Sequence, residues 1–284
     1  MPAAGGGGGG AGSSATLAPF VKFSSIAVPG TVRIGGASQQ VNYTEDSGGR
    51  ATLDSAVTDY KSGATVDATY NDAAVLTKLV LTSAEGTQIT LDKSRGDLLE
   101  SGPYGAAGVS ENQQNAVIAI SGDGTRGWEY QAFGVWSTGG GTGRGTAGAG
   151  SFGAATAPAD VPTTGTGNFT GLSGGLYLDS AGTTSVVGSD MTATADFGNR
   201  SIAFATTNTR DIVSGASKSD LNLAGTLNYS AGANQFTGAV TPNAGAMTGS
   251  ATGKFYGPSA IEIGGTFALT DGSSVYFGAF GGKR

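Results

Sequence analysis

GSATGKFYGPSAIEIGGTFAL, residues 249–269, is the stretch that decides the fold. Alternate residues divide between two faces. Gly249, Ala251, Gly253 and Phe255 share one side of an extended segment; Ser250, Thr252, Lys254 and Tyr256 share the other. Gly257-Pro258-Ser259 breaks the run at a turn. A second extended segment then carries Ile261, Ile263, Gly265, Phe267 and Leu269 on one face. This spacing predicts an antiparallel hairpin with an apolar and a wetted side. Glycine normally weakens a strand. Set beside aromatic residues, it predicts the close backbone approach and tight bends of a small closed barrel.

Working outward, further strands are predicted at 131–136, 168–170, 176–179, 191–197, 201–206, 221–229, 235–240 and 274–280. With the two strands of the hairpin these make ten segments and, allowing one false assignment, about the number expected of a small filled barrel of eight strands. Phe133, Trp136, Phe197, Phe204, Phe255, Phe267 and Phe277 are expected to fill it. Upstream, 64–70, 73–82 and 116–120 read as strands, with Val75, Leu79 and Leu81 on one face and a turn at Ala84-Glu85-Gly86. Residues 95–108 read as a turn-rich loop with one helical turn at 97–100. Residues 139–162, low in complexity, read as a long mobile loop.

The chain has 284 residues, 52 of them glycine without a G-X-Y period, which excludes collagen. A formal net charge of −6 argues against a general binder of nucleic acid or anionic membranes. No apolar run approaches the roughly 18 residues of a membrane helix. There is no cysteine, so packing and ladders alone hold the fold. There is no histidine either, which removes Ser-His-Asp and Cys-His catalysis, imidazole zinc sites and histidine-ligated haem together.

Three motifs carry a resemblance. G-x-F-Y-G-P-x-A-x-E-x-G-G-x-F, from Gly253 to Phe267, resembles the closing signature of the β-barrel in bacterial transferrin-binding protein B and related surface lipoproteins. Tyr130-Gln131-Ala132-Phe133-Gly134-Val135-Trp136 resembles the first strand of that barrel, and Thr192-Ala193-Thr194-Ala195-Asp196-Phe197-Gly198-Asn199-Arg200 its middle hairpin. The resemblance spans 128–284 and is looser before it. It implies an all-β protein: a C-terminal antiparallel eight-stranded β-barrel at 128–284, preceded by a β-rich handle domain at 17–127. Residues 1–16 read as a flexible glycine-rich linker, without the basic start and apolar core of a signal peptide. In the resembling lipoproteins a lipidated cysteine precedes such a glycine run. Ala4 stands in that place here, so the expectation is either that a native lipid anchor has been removed or that the protein is not lipidated, with any membrane attachment running only through that lost or absent anchor.

By resemblance, the expected function is non-enzymatic: a binding protein of the bacterial outer surface, or secreted, that captures an iron or haem source or another host or environmental protein. Its expected partners are an iron- or haem-carrying protein and an outer-membrane receptor, with no nucleic acid. The alternatives are a structural or adhesive surface protein, and a carbohydrate-active enzyme. No catalytic residue, metal ligand or cofactor is assigned. Glu129 and Glu262 could flank a groove as a glycosidase pair. On simple alternation, however, Glu262 faces away from Ile261 and Ile263 and reads as a solvent-facing or motif-structural carboxylate. The carboxylates of Asp46, Asp54, Asp59, Asp67 and Asp72 are scattered and form no calcium loop. Arg95-Gly96-Asp97 matches an adhesion tripeptide, a pattern common by chance. Gly122-Asp123-Gly124-Thr125-Arg126-Gly127 matches G-x-G-x-x-G. The alternating Trp128–Trp136 run after it predicts a strand where a dinucleotide fold needs a helix, so it reads as a hairpin-type turn. Loops on a rigid scaffold are the usual place for recognition. Arg95, Leu99 and Tyr104 are therefore the expected partner-binding residues. The competing expectation packs Leu98 and Leu99 beneath the loop.

Overall fold

The computed structural model describes Leu17 and residues 19–284; the glycine-rich stretch 1–16 lies outside the described residues. Two antiparallel sheets build the protein. The first holds β1 (Gly30–Glu45), β2 (Ala51–Leu53), β3 (Lys61–Tyr70), β4 (Leu76–Thr82), β5 (Gln88–Asp92), β6 (Leu98–Gly102), β7 (Gly105–Val109), β8 (Ala116–Ile120), β9 (Gln131–Ser137) and β10 (Arg144–Gly153). Its order is β5-β4-β3-β1-β10-β9-β8-β7-β6, with β2 paired to β1. The sheet curls until its two edges, β5 and β6, lie near one another, joined by the short 3-10 turn Lys93–Arg95. The second sheet is a closed barrel of β11 (Thr166–Leu178), β12 (Thr184–Asp196), β13 (Ser201–Asp211), β14 (Leu223–Asn228), β15 (Phe236–Pro242), β16 (Thr248–Tyr256), β17 (Glu262–Thr270) and β18 (Val275–Lys283).

The hairpin read from 249–269 is β16 and β17, with Phe255 opposite Ile263 and Ala251 opposite Phe267. Phe169, Phe197, Phe204, Phe236, Phe255, Phe267 and Phe280 form the barrel core with Met191, Ile202 and Leu227. Phe255 sits at its centre, with ring centroids 5.3–6.1 Å from Phe236, Tyr229, Phe197 and Phe169. Phe267 meets Tyr276 edge-on at 4.8 Å. Gly278 makes that contact possible, because a Cβ there would lie 2.7 Å from the Phe267 ring and 2.3 Å from the Gly174 carbonyl.

Several expectations need correction. The strand at 131–136 does not open the barrel: β9 pairs with β8 and β10 in the first sheet. The barrel starts instead at β11, one long strand covering both segments predicted at 168–170 and 176–179. Residues 144–153 are not a mobile loop. They form β10, a central strand between β1 and β9, with Ala147–Phe152 buried. Their small side chains mark close packing: a Cβ on Gly148 would lie 2.2 Å from the Trp136 indole. Phe133 and Trp136 therefore belong to the first sheet, and Phe277 points outward from the barrel onto Val41, Phe133 and Ala149. Val75 is exposed, and Leu76 takes its place beside Leu79 and Leu81, across a register shift at Thr69/Tyr70.

The outer face of β17 and β18 packs on β9 and β10. Both faces of this part of the barrel are thus dry, and Glu262 is fully buried, not solvent-facing. Its Oε1 accepts from the Glu129 amide at 2.7 Å; its Oε2 accepts from the Tyr130 and Gln131 amides at 2.9 and 3.0 Å. Burial pushes this carboxyl above the ordinary range, against the pull of the three amides and of the Lys283 ammonium. Nearby, Ser151 and Tyr256 share a hydrogen bond of 2.8 Å, and Gln39 Nε2 donates to the Phe267 carbonyl. The G-x-G-x-x-G segment is a tight turn closed by a Gly122–Gly127 bridge, with Gly124 at φ 84°. Within it, Asp123 accepts from the Arg126 amide and side chain. Arg126 then donates to the carbonyls of Lys283 and Arg284 and to Thr170 Oγ1. Desolvation pushes the Asp123 carboxyl up, but the bonds from Thr125 and Arg126 outweigh it and hold it at about 2.

Phe267→Ala removes a fully buried ring and should cost about 3–5 kcal/mol in a denaturant melt; an unchanged midpoint would contradict its core placement. Glu262→Gln keeps the shape but turns an amide donor toward backbone donors. A loss of at least about 1.5–3 kcal/mol is expected, read by the same melt.

Candidate functional site: the outer hairpin of the first sheet

Strands β6 and β7 form an edge hairpin with Pro103 and Tyr104 at its turn. The stretch read as a turn-rich loop with a helical turn is thus extended, and alternation sets its side chains. Leu98 is 70% exposed and Leu99 is 3% exposed, packed into the apolar core of the first sheet. Leu99 is therefore corrected: it is a core residue with no surface to offer a partner. Leu98, its neighbour, takes the outward position, so the competing expectation that both leucines pack beneath the loop holds for Leu99 alone.

Arg95 is exposed and lies in the turn before β6, its guanidinium 3.6 Å from Asp97. Asp97 is the organising residue at this end. Its Oδ2 accepts from the Asp92 amide at 2.8 Å and its Oδ1 from the Glu111 amide at 2.9 Å. These two bonds, that of Glu111 foremost, hold its carboxyl below the ordinary carboxylate range despite desolvation. Gly96, at φ 88°, supplies the left-handed step between them. An adhesion tripeptide needs a free aspartate, and this one is 7% exposed with both oxygens occupied. The Arg95-Gly96-Asp97 run is a structural turn.

Tyr104 lies at the other end of the hairpin, 37% exposed. Its carbonyl accepts from the Ser121 amide at 2.8 Å, and its ring covers Gly122, where a Cβ would lie 2.7 Å from Cδ1. The four steps of β6 from Leu98 to Gly102 span about 14 Å. Arg95 and Leu98 therefore mark one end of the hairpin and Tyr104 the other; the predicted trio does not converge. Asp97 was the residue that sequence reading missed. Its signal was the position after a glycine at a strand start, where a carboxylate reaches amides on two neighbouring segments.

The proposed carboxylate pair does not form a reactive site either. Glu262 is sealed from solvent, and Glu129 turns its Oε2 to the Ser24 amide at 3.1 Å. Among the described residues no cluster of three or more acidic side chains could hold a metal ion.

Residues 161–284 match the family described as the C-lobe and N-lobe β-barrels of Tf-binding protein B. The match covers the whole C-terminal barrel, which is similar to the barrels of transferrin-binding protein B. Among solved structures, the chain is similar to a transferrin-binding protein B mutant from Haemophilus parasuis Hp5, at 14% identity over 89% of this chain and 76% of that one, with a TM-score of 0.48. It is similar to HpuA from Kingella denitrificans, solved in complex with human haemoglobin, at 14% identity over 95% of each chain, TM-score 0.44. The N-lobe of lactoferrin-binding protein B from Moraxella bovis is 12% identical over 87% of this chain and 99% of that one, TM-score 0.39. No curated protein sequence matches the chain significantly.

Asp97→Asn should lower the melting temperature at neutral pH. A carboxyl whose folded pKa is depressed stabilises above its unfolded value, about 3.9, and loses that contribution as pH falls through the folded one. The gap between wild type and variant should accordingly narrow below about pH 4 in a melting series. A gap constant from pH 7 to acid would show that the charge plays no part.

Proposed function

We propose that this chain is a non-enzymatic binding protein of the bacterial surface, or secreted, that captures an iron- or haem-carrying host or environmental protein and works beside an outer-membrane receptor. The barrel's family carries this reading: the matched family is made of the barrels of a transferrin-binding protein. The site geometry supports it. Two sheets locked face to face make a rigid scaffold, and apolar side chains stand out at its turns, where recognition residues gather: Leu98 and Tyr104 on the first sheet, Ile212 and Val213 beyond β13. The sealed Glu262 and the tethered Glu129 speak against a glycosidase. With neither histidine nor cysteine, any haem iron held by the chain itself would have tyrosine or methionine as its protein ligand. A protein-borne iron source is therefore the better fit.

Immobilised protein should retain one partner from host fluid, with transferrin, haemoglobin and lactoferrin tested singly. Tyr104→Ala should weaken that binding by about 1–2 kcal/mol while the melting temperature stays nearly fixed. A large fall in stability at unchanged affinity would make Tyr104 a packing residue and move the binding surface to the turns of the barrel. Failure to retain any iron- or haem-carrying protein would overturn the reading.

A further inference from the structure

The curl of the first sheet encloses a cavity of about 430 Å³. Its floor is buried and apolar: Ile34, Leu76, Leu79, Leu81, Val117 and Phe152. Its opening is marked by the lining residues that reach solvent, Ala74 on one side and Ser101, Gly102 and Pro103 on the other. Phe23 stands over it, stacked edge-on with Phe20 at 4.8 Å. The Phe23 amide donates to the Glu129 carbonyl and the Ser24 amide to the Glu129 carboxylate, so the segment bearing Phe23 is fastened across the cavity. Protein interiors pack densely, with few voids larger than a water molecule. A space this large is in the range of ligand sites, roughly 300–1,000 Å³, and an apolar one holds water poorly while accepting apolar solutes.

We infer that this cavity is a binding site for an uncharged, apolar small molecule. The lining itself commits to that class. It contains one carboxylate, Glu129, and no lysine or arginine, and the Lys22 and Lys283 ammonium groups nearby act on that carboxylate, so an anion would meet no free counter-charge in the lining. The volume suits a drug-sized molecule and not a folded segment of another protein. Alanines face the space from both walls: Ala68 on β3, Ala106 on β7 and Ala119 on β8, the last sharing its strand face with Val117. Larger residues at these places would fill the cavity, and the chain carries none there. This site lies inside the sheet and is separate from the partner surface proposed above, although Tyr104 borders its opening through Pro103.

The test uses two probes that share one ring system: neutral N-phenyl-1-naphthylamine and the anionic 1-anilinonaphthalene-8-sulfonate. The neutral probe should bind the full chain at one site. It should take up energy from the tryptophans, of which the chain has two: Trp128 in the lining and Trp136 in the adjoining apolar cluster. The sulfonate should bind at least about ten-fold more weakly, because it would be buried unpaired. Ala106→Leu and Ala119→Leu, singly and together, should abolish neutral-probe binding while the melting temperature holds or rises; loss of binding through misfolding would lower it. Should a filled variant fail to fold, the wild-type titration decides alone. No saturable binding, no energy transfer, equal affinity for both probes, or undiminished binding in a folded, filled variant would each overturn the assignment.

Discussion

One buried carboxylate joins the two halves of this protein. Glu262 stands at the start of β17 on the outside of the barrel and receives three consecutive amides, of residues 129–131, from the segment that leads into β9. The carboxylate is sealed from solvent there, and the three amides point into it. Each satisfies what burial would otherwise leave unpaired. The contact fastens the start of β9 to the start of β17. Around it Gln131 and Trp128 settle over Gly264 and Gly281, where any side chain would collide with them. Arg126 repeats the arrangement with opposite charge, holding the last carbonyls of the chain.

The abundance of glycine and alanine follows from this architecture. Where two sheets pack closely, and where a small barrel bends, aromatic rings fill space that neighbouring positions leave empty. Gly148 under Trp136 and Gly278 under Phe267 are two instances. The chain has no disulfide and, among the described residues, four ion pairs, most of them exposed at the surface and worth little. Cohesion thus rests on dense packing, ladder hydrogen bonds and a few buried polar clamps.

The same construction separates two kinds of surface. The inside of the first sheet is apolar and hollow, whereas its outer hairpin and the turns of both sheets present isolated apolar side chains. Asp97 belongs to the scaffold beneath those turns. It holds β5, β6 and the turn after β7 together, so that Arg95 and Leu98 are carried on a fixed base. A partner surface and a small-molecule cavity can coexist in one domain because they use opposite faces of one sheet.

Alternation along 249–269 was enough to establish an antiparallel hairpin, its inward face of Phe255, Ile263 and Phe267, and a barrel around it, since period-two burial is a local property of strands. Hairpin-type turns at Ala84-Glu85-Gly86 and 122–127 were legible for the same local reason. Which sheet a strand joins is not local. Gln131–Ser137 alternates equally well in either sheet, and only its pairing with β8 and β10 placed it in the first. Composition misled at β10, because Gly and Ala mark a flexible linker when free and a close contact when covered; the sequence does not state which cover will arrive. Leu98 and Leu99 differ by one step of pleat, which depends on register in the finished sheet. Glu262 was placed on the correct face of its strand, but a second sheet packs on that face, and so a carboxylate that reads as solvated became the buried clamp between the two sheets.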